Sequence, residues 1–214
     1  MIAIGQAILR YLRFALAAGV LTALAPSHHA IGAEQEMPRP DRLEQQADPE
    51  AVAGRAEILA DLYDRLHKAQ DAESAAPIAR TIEELWLQSG SDTVDVLMSR
   101  AIILVQDNNF DQAIEILDSV TSIAPEYSEG WNQRATVYFL KREYDRSLND
   151  LRQVLALDPR HFKAINGLAL ILQELGDKSA ALKAYRKALQ VHPHLGGANR
   201  AIEELEREVE GQGI

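Results

Sequence analysis

The stretch Trp131-Asn-Gln-Arg-Ala135-Thr-Val-Tyr138-Phe-Leu-Lys-Arg-Glu-Tyr144-Asp-Arg-Ser147-Leu-Asn-Asp-Leu151-Arg-Gln-Val154-Leu-Ala-Leu-Asp-Pro159 decides the fold. Apolar residues recur in it every three or four positions on either side of a polar break at Lys141-Arg142-Glu143, and Pro159 closes it. It therefore reads as two amphipathic helices joined by a short turn. The same phrase recurs on both sides. Pro125, Pro159 and Pro193 are spaced by 34 residues. Twelve residues before each stands a small residue, Ala113, Ser147 or Ala181, and 24 before stands another, Ala101, Ala135 or Ala169. Twenty-eight before stands a large apolar one, Leu97, Trp131 or Ile165. Small residues where two helices cross let the backbones approach, and large ones fill the space between neighbouring pairs.

Trp131-x2-Arg-Ala135-x2-Tyr138, then Tyr144-x2-Ser147-x3-Leu151-x2-Val154, then Pro159, resembles the tetratricopeptide repeat. The resemblance covers about residues 94–195 and implies an all-α fold: a right-handed superhelical stack of helix-turn-helix repeats with a C-terminal capping helix. The units are 93–127, 128–161 and 162–195, followed by a capping helix and tail, 196–214. In the tail, Ala198, Ala201, Ile202, Leu205 and Val209 form one apolar stripe. Two departures stand out. Arg100 and Arg134 occupy a place where the family prefers leucine, and Asn108-Asn109 and Arg142-Glu143 replace its usual turn glycine, which Gly176 keeps.

Residues 48–92 read as a divergent leading helix pair. Asp48-Pro49-Glu50 is a helix start. The run to Ala69 places Ile58, Leu59, Leu62, Leu66 and Ala69 on one face. A second helix from about Ser74 to Leu87 carries Ile78, Ile82, Leu85 and Trp86, before the break at Ser89-Gly90-Ser91.

Residues 1–33 hold no acid and only Arg10 and Arg13 as full charges, ahead of an apolar run to Ala25 and a small-residue stretch ending at Ala33. That order reads as a signal peptide cleaved after Ala33 or, if uncleaved, as a membrane anchor through residues 10–25; arginine without acid is also the mark of an organelle transit peptide, which the concentrated apolar block fits less well. Export to the periplasm follows from the first, and inner-membrane anchoring from the second. Residues 34–47 have two prolines and no apolar period, and read as a flexible linker.

With 22 lysines and arginines against 32 acids, the chain has a formal charge of −10 and no basic run, which disfavours nucleic acid as a partner. The absence of cysteine removes thiolate metal sites and thiol nucleophiles. No phosphate-cradling loop, nucleophile elbow or zinc-binding His-Glu-x-x-His helix is present, so no catalytic residue, cofactor or small-molecule substrate is expected. His161, His192 and His194 lie at repeat junctions and read as solvated turn residues rather than metal ligands.

The resemblance implies a protein or peptide partner in a concave groove lined by the first helix of each pair: Met98, Ile102, Val105, Asn132, Thr136, Phe139, Lys163, Asn166 and Leu170. Its apolar centre suits an apolar or amphipathic helix. Of the places with which relatives clamp chaperone C-terminal carboxylates, here Met98, Ile102, Gln133, Lys163 and Gly167, only Lys163 carries the matching charge. Alternatively, the leading pair or the cap folds over this face and fills it. The function expected is a non-enzymatic adaptor or scaffold of the cell envelope. The alternatives are a membrane-anchored or self-associating assembly factor and, more remotely, a metal-binding protein or enzyme.

Overall fold

Every small residue at the two crossing positions is buried: Ala101, Ala135 and Ala169 on first helices, Ala113, Ser147 and Ala181 on second ones. Ser147 turns its position to further use, donating its hydroxyl to the Ala135 carbonyl at 2.7 Å across the crossing. The computed structural model in which they lie describes residues 49–211, with side chains from 54 to 208. Residues 1–33, expected as a signal or anchor segment, residues 34–47, expected as a linker, and the last three residues lie outside the described residues.

Among the described residues all regular structure is helical. The leading pair is α1 (Pro49–His67) and α2 (Ala72–Trp86). The repeats are α3 (Asp92–Gln106) with α4 (Phe110–Ile123), α5 (Ser128–Leu140) with α6 (Tyr144–Leu157), and α7 (Phe162–Glu174) with α8 (Lys178–Val191). The last helix is α9 (Ala198–Gly211). Asn108, Arg142 and Gly176 close the three intra-repeat turns, with φ of 60°, 62° and 84°. That left-handed conformation explains the family's glycine, and asparagine tolerates it better than most side chains. In α2, Asp71 accepts from the Ser74 amide at 2.8 Å while Ser74 accepts from the Asp71 amide, a reciprocal cap.

Arg134 accounts for the departure from leucine at its position. Its guanidinium donates through Nε and Nη2 to both oxygens of the buried Asp150, each at 2.8 Å, and through Nη1 to Asp118 and Thr121 on the preceding α4. It also lies over the Trp131 ring, 4.9 Å from the centroid. A charged fork here bolts repeat two to its own second helix and to repeat one.

The stack is α3 to α8 in order, with α9 packed on α8, where Ala198 and Leu205 are buried. The leading pair does not continue it. α1 packs on α8, and the pair shares one core with α7, α8 and α9 that includes Leu62, Tyr63, Leu66, Ala79, Ile82 and Trp86. Ile58, expected on the apolar face of α1, is exposed instead. One end of the stack is consequently open. Val96 on α3 is 68% exposed and Ile103 is 48% exposed, whereas Val137 and Ile171, at the positions of Ile103 in the next two repeats, are 0% exposed.

Candidate partner-binding groove

The hairpin meets the repeats along a line of polar and aromatic contacts. The Tyr63 hydroxyl donates to Asp158 at 2.5 Å, and Arg160 lies over the Tyr63 ring at 4.5 Å. His67 Nδ1 is 2.7 Å from the Gln190 carbonyl, and His194 Nε2 is 3.0 Å from that of Ala69. On α2, Glu83 pairs with Lys163 at 2.9 Å, and the Trp86 indole stacks on His161 with centroids 3.7 Å apart and planes 8° apart. Phe162 tilts against the same indole at 4.8 Å. Near the start of α3, Asp95 accepts from the amide and hydroxyl of Ser89, which ties the linker that follows α2 to the first repeat.

Beneath Trp86 lies a buried polar hub. His161 Nδ1 accepts from the Ala164 amide at 3.2 Å, capping α7, so the ring carries its hydrogen on Nε2, which faces Glu129 at 3.1 Å. Glu129 in turn accepts from Asn132 Nδ2 at 3.1 Å and Gln133 Nε2 at 2.6 Å. Burial pushes the Glu129 carboxyl up, but the hydrogen bonds from His161 and Gln133 and the Lys163 ammonium outweigh it and hold the group below its ordinary value of 4.5. Both ring nitrogens of His161 are engaged and one face is covered by the indole, so the pair fixes the orientation of the ring.

The nine groove residues divide. Met98 and Val105 are each 1% exposed, and Asn132 is buried with its amide spent on Glu129. Thr136 donates to the Asn132 carbonyl at 2.9 Å. Phe139 is half-buried, its ring 5.8 Å from that of Tyr144, while Ile102, Asn166 and Leu170 are half-buried. Lys163 is held by Glu83. In this conformation, then, Met98, Val105 and Asn132 are not open lining, and part of the first-helix face is occupied by the chain's own hairpin. The histidines are corrected too: His161 and His192 are buried rather than solvated, because the hairpin covers one and the Phe162 ring lies edge-on to the other at 5.2 Å. Among the described residues no group of three or more His, Cys, Asp or Glu side chains is placed to hold a metal ion. Sequence reasoning missed Trp86 and His161 as partners; the only trace was an aromatic residue at the end of an amphipathic helix.

A sequence profile described as Tetratricopeptide repeat protein 21 ARM repeat matches residues 22–148, and one described as Tetratricopeptide repeat matches 132–207. The chain belongs to the tetratricopeptide repeat family. A TPR repeat-containing protein of Rhizobium etli is 33% identical over 153 residues, covering 72% of this chain and 75% of that protein. The heat-shock protein cognate co-chaperone sgt12 of Aspergillus fumigatus is 24% identical over 178 residues, covering 79% of this chain and 52% of its own, so the present chain spans about half of it. Solved structures share the fold. The Sgt2 TPR domain from Aspergillus fumigatus superposes with a TM-score of 0.53 at 23% identity, over 56% of this chain and 81% of that one. The first TPR of Spaghetti (RPAP3), bound to an HSP90 peptide, gives 0.53 at 19% identity over 55% and 93%. MamA gives 0.52 at 18% identity over 74% and 84%.

Proposed function

We propose that this tetratricopeptide repeat protein is a non-enzymatic adaptor of the cell envelope whose first-helix face binds an apolar or amphipathic helical segment of another protein. The observation that carries the reading is the intramolecular one: an amphipathic helix, α2, already docks at the first turn of α7 through an ion pair and an aromatic stack. A face that seats one such helix has the chemistry to seat another. The HSP90-peptide complex of a protein with this fold gives further support for a protein ligand. A chaperone C-terminal carboxylate is a poor fit, since Met98, Ile102, Gln133 and Gly167 offer it no charge.

Export, with periplasmic residence, rests on the composition of residues 1–33. The second reading, a membrane-anchored or self-associating assembly factor, is favoured by the apolar run at residues 10–25. Affinity capture of the full chain from its own cells, wild type beside Phe139→Glu, tests the groove: one partner lost from the variant while helicity is kept supports the adaptor, and unchanged capture overturns it. The mass of the same sample decides localisation, a chain starting at Glu34 supporting release and an intact Met1 in the membrane fraction supporting the anchor.

A further inference from the structure

The place that receives α2 is built without α2. His161 is fixed at its two ring nitrogens by the Ala164 amide and by Glu129, Glu129 by Asn132 and Gln133, and Phe162 lies edge-on to His192. All of these belong to the repeats and the junctions that follow them. Into this prepared seat α2 presents two side chains one helical turn apart, Glu83 to the Lys163 ammonium and Trp86 flat on the His161 ring. The hairpin is joined to the stack by the short linker 87–91, in which Gly90 has a φ of +86°. Polar contacts of α1, α2 and the turn between them reach Asp158 at the end of the second repeat and Lys163, Gln190 and His194 in the third, while Ser89 of the linker bonds Asp95 in the first. A tethered element of this kind competes for its seat at high effective concentration.

Resting on the adaptor reading above, we propose that the seat is a recognition site for a helix of the pattern acid-x-x-aromatic, and that α2, with Glu83-x-x-Trp86, is its built-in competitor. The external partner is then a helix carrying an acid one turn ahead of an exposed aromatic residue. It takes the place of α2, pairing its acid with Lys163 and stacking its ring on His161. The fraction of molecules with the hairpin released sets its apparent affinity. Charge complementarity supports this occupant. Lys163 is the cation at the first turn of α7, and a basic residue opposite it is repelled.

The test uses a labelled synthetic peptide of residues 72–90 against the full chain, wild type and Trp86→Ala. The expected result is binding to the Trp86→Ala chain about tenfold or more tighter than to wild type, because the weakened tether no longer excludes the peptide. A Glu83→Lys peptide loses about tenfold on the same chain, and a Trp86→Phe peptide keeps its affinity. Should the Trp86→Ala chain lose its helicity, the Glu83→Lys chain, in which like charges meet at Lys163, serves in its place. Equal affinity for wild type and variant, indifference to the charge at position 83 of the peptide, or no binding to either released chain overturns the inference. Failure here leaves partner capture and its loss in Phe139→Glu untouched, so the two readings fail separately.

Discussion

Trp86 covers the face of His161 while Glu129 engages its Nε2 edge, so a single imidazole is held by an indole from the leading hairpin and a carboxylate from the second repeat. The rings are parallel to within 8°. Stacking and burial of this kind join two parts of the chain that share no continuous helix, alongside the Glu83–Lys163 pair and the core that α1 and α2 share with the third repeat.

Trp86→Ala removes that side chain from a filled core and is expected to lower the unfolding free energy by about 3 kcal/mol in urea titration. The loss falls unevenly. Amides of α1 and α2 should exchange with solvent faster, while those of α5 and α6 keep their protection.

Arg134→Met keeps much of the stem but leaves the buried Asp150 carboxylate without its fork, at a cost of about 3 kcal/mol. Adding Asp150→Asn should recover part of this, and a double-mutant cycle by denaturation measures the coupling. Simple additivity of the two losses would show that the pair does not act as a unit.

Two glycines predict opposite signs. A Cβ on Gly130 would lie 2.8 Å from Val120 Cγ1 and 3.3 Å from Tyr127 Cδ1, so Gly130→Ala forces the first two repeats apart and should cost about 2 kcal/mol. At Gly167 the nearest atoms are at 3.7 Å, an ordinary contact, so Gly167→Ala should stabilise by about 0.5 kcal/mol through helix propensity alone. Thermal unfolding of the two variants side by side distinguishes them.

Burial, aided by the neighbouring His194, pushes the His192 ring down from 6.5 to about 4. The unfolded chain therefore takes up a proton between those values that the folded chain does not, and stability falls as pH drops through the window, by up to about 1.4 kcal/mol per unit. Below about 4 this contribution is fully lost. Glu129 acts lower: its depressed carboxyl adds stability above 4.5 that is lost as pH falls further. Urea midpoints across pH 7 to 4 should decline for wild type and flatten for His192→Asn.

The repeats were legible because their constraints are local and periodic. The 34-residue proline spacing and the alternating small residues point directly to helix crossings, and Ala101, Ala135, Ala113 and Ala181 are buried there. The hairpin's place was legible only as one of two alternatives, an open face or a face filled by the leading pair or the cap. The face formed by Ala79, Ile82 and Trp86 specifies that α2 buries something, yet an amphipathic stripe is equally satisfied by the adjacent repeat or by the third. His161 was misread for the same reason: its burial is supplied by a residue from a distant helix. Arg134 was noticed as a departure, and its reason required Asp150 and Asp118 to be seen around it.

The unequal ends of the stack give the array a direction of growth. Beyond Pro193 the last repeat is sealed by α9, so a unit duplicated there has to displace a helix already packed. Ahead of Asp92, Val96 and Ile103 stand uncovered at positions where later repeats receive a neighbour. A further repeat inserted at that junction meets an unfilled face, so lengthening of this protein in evolution or by design is easier from the front.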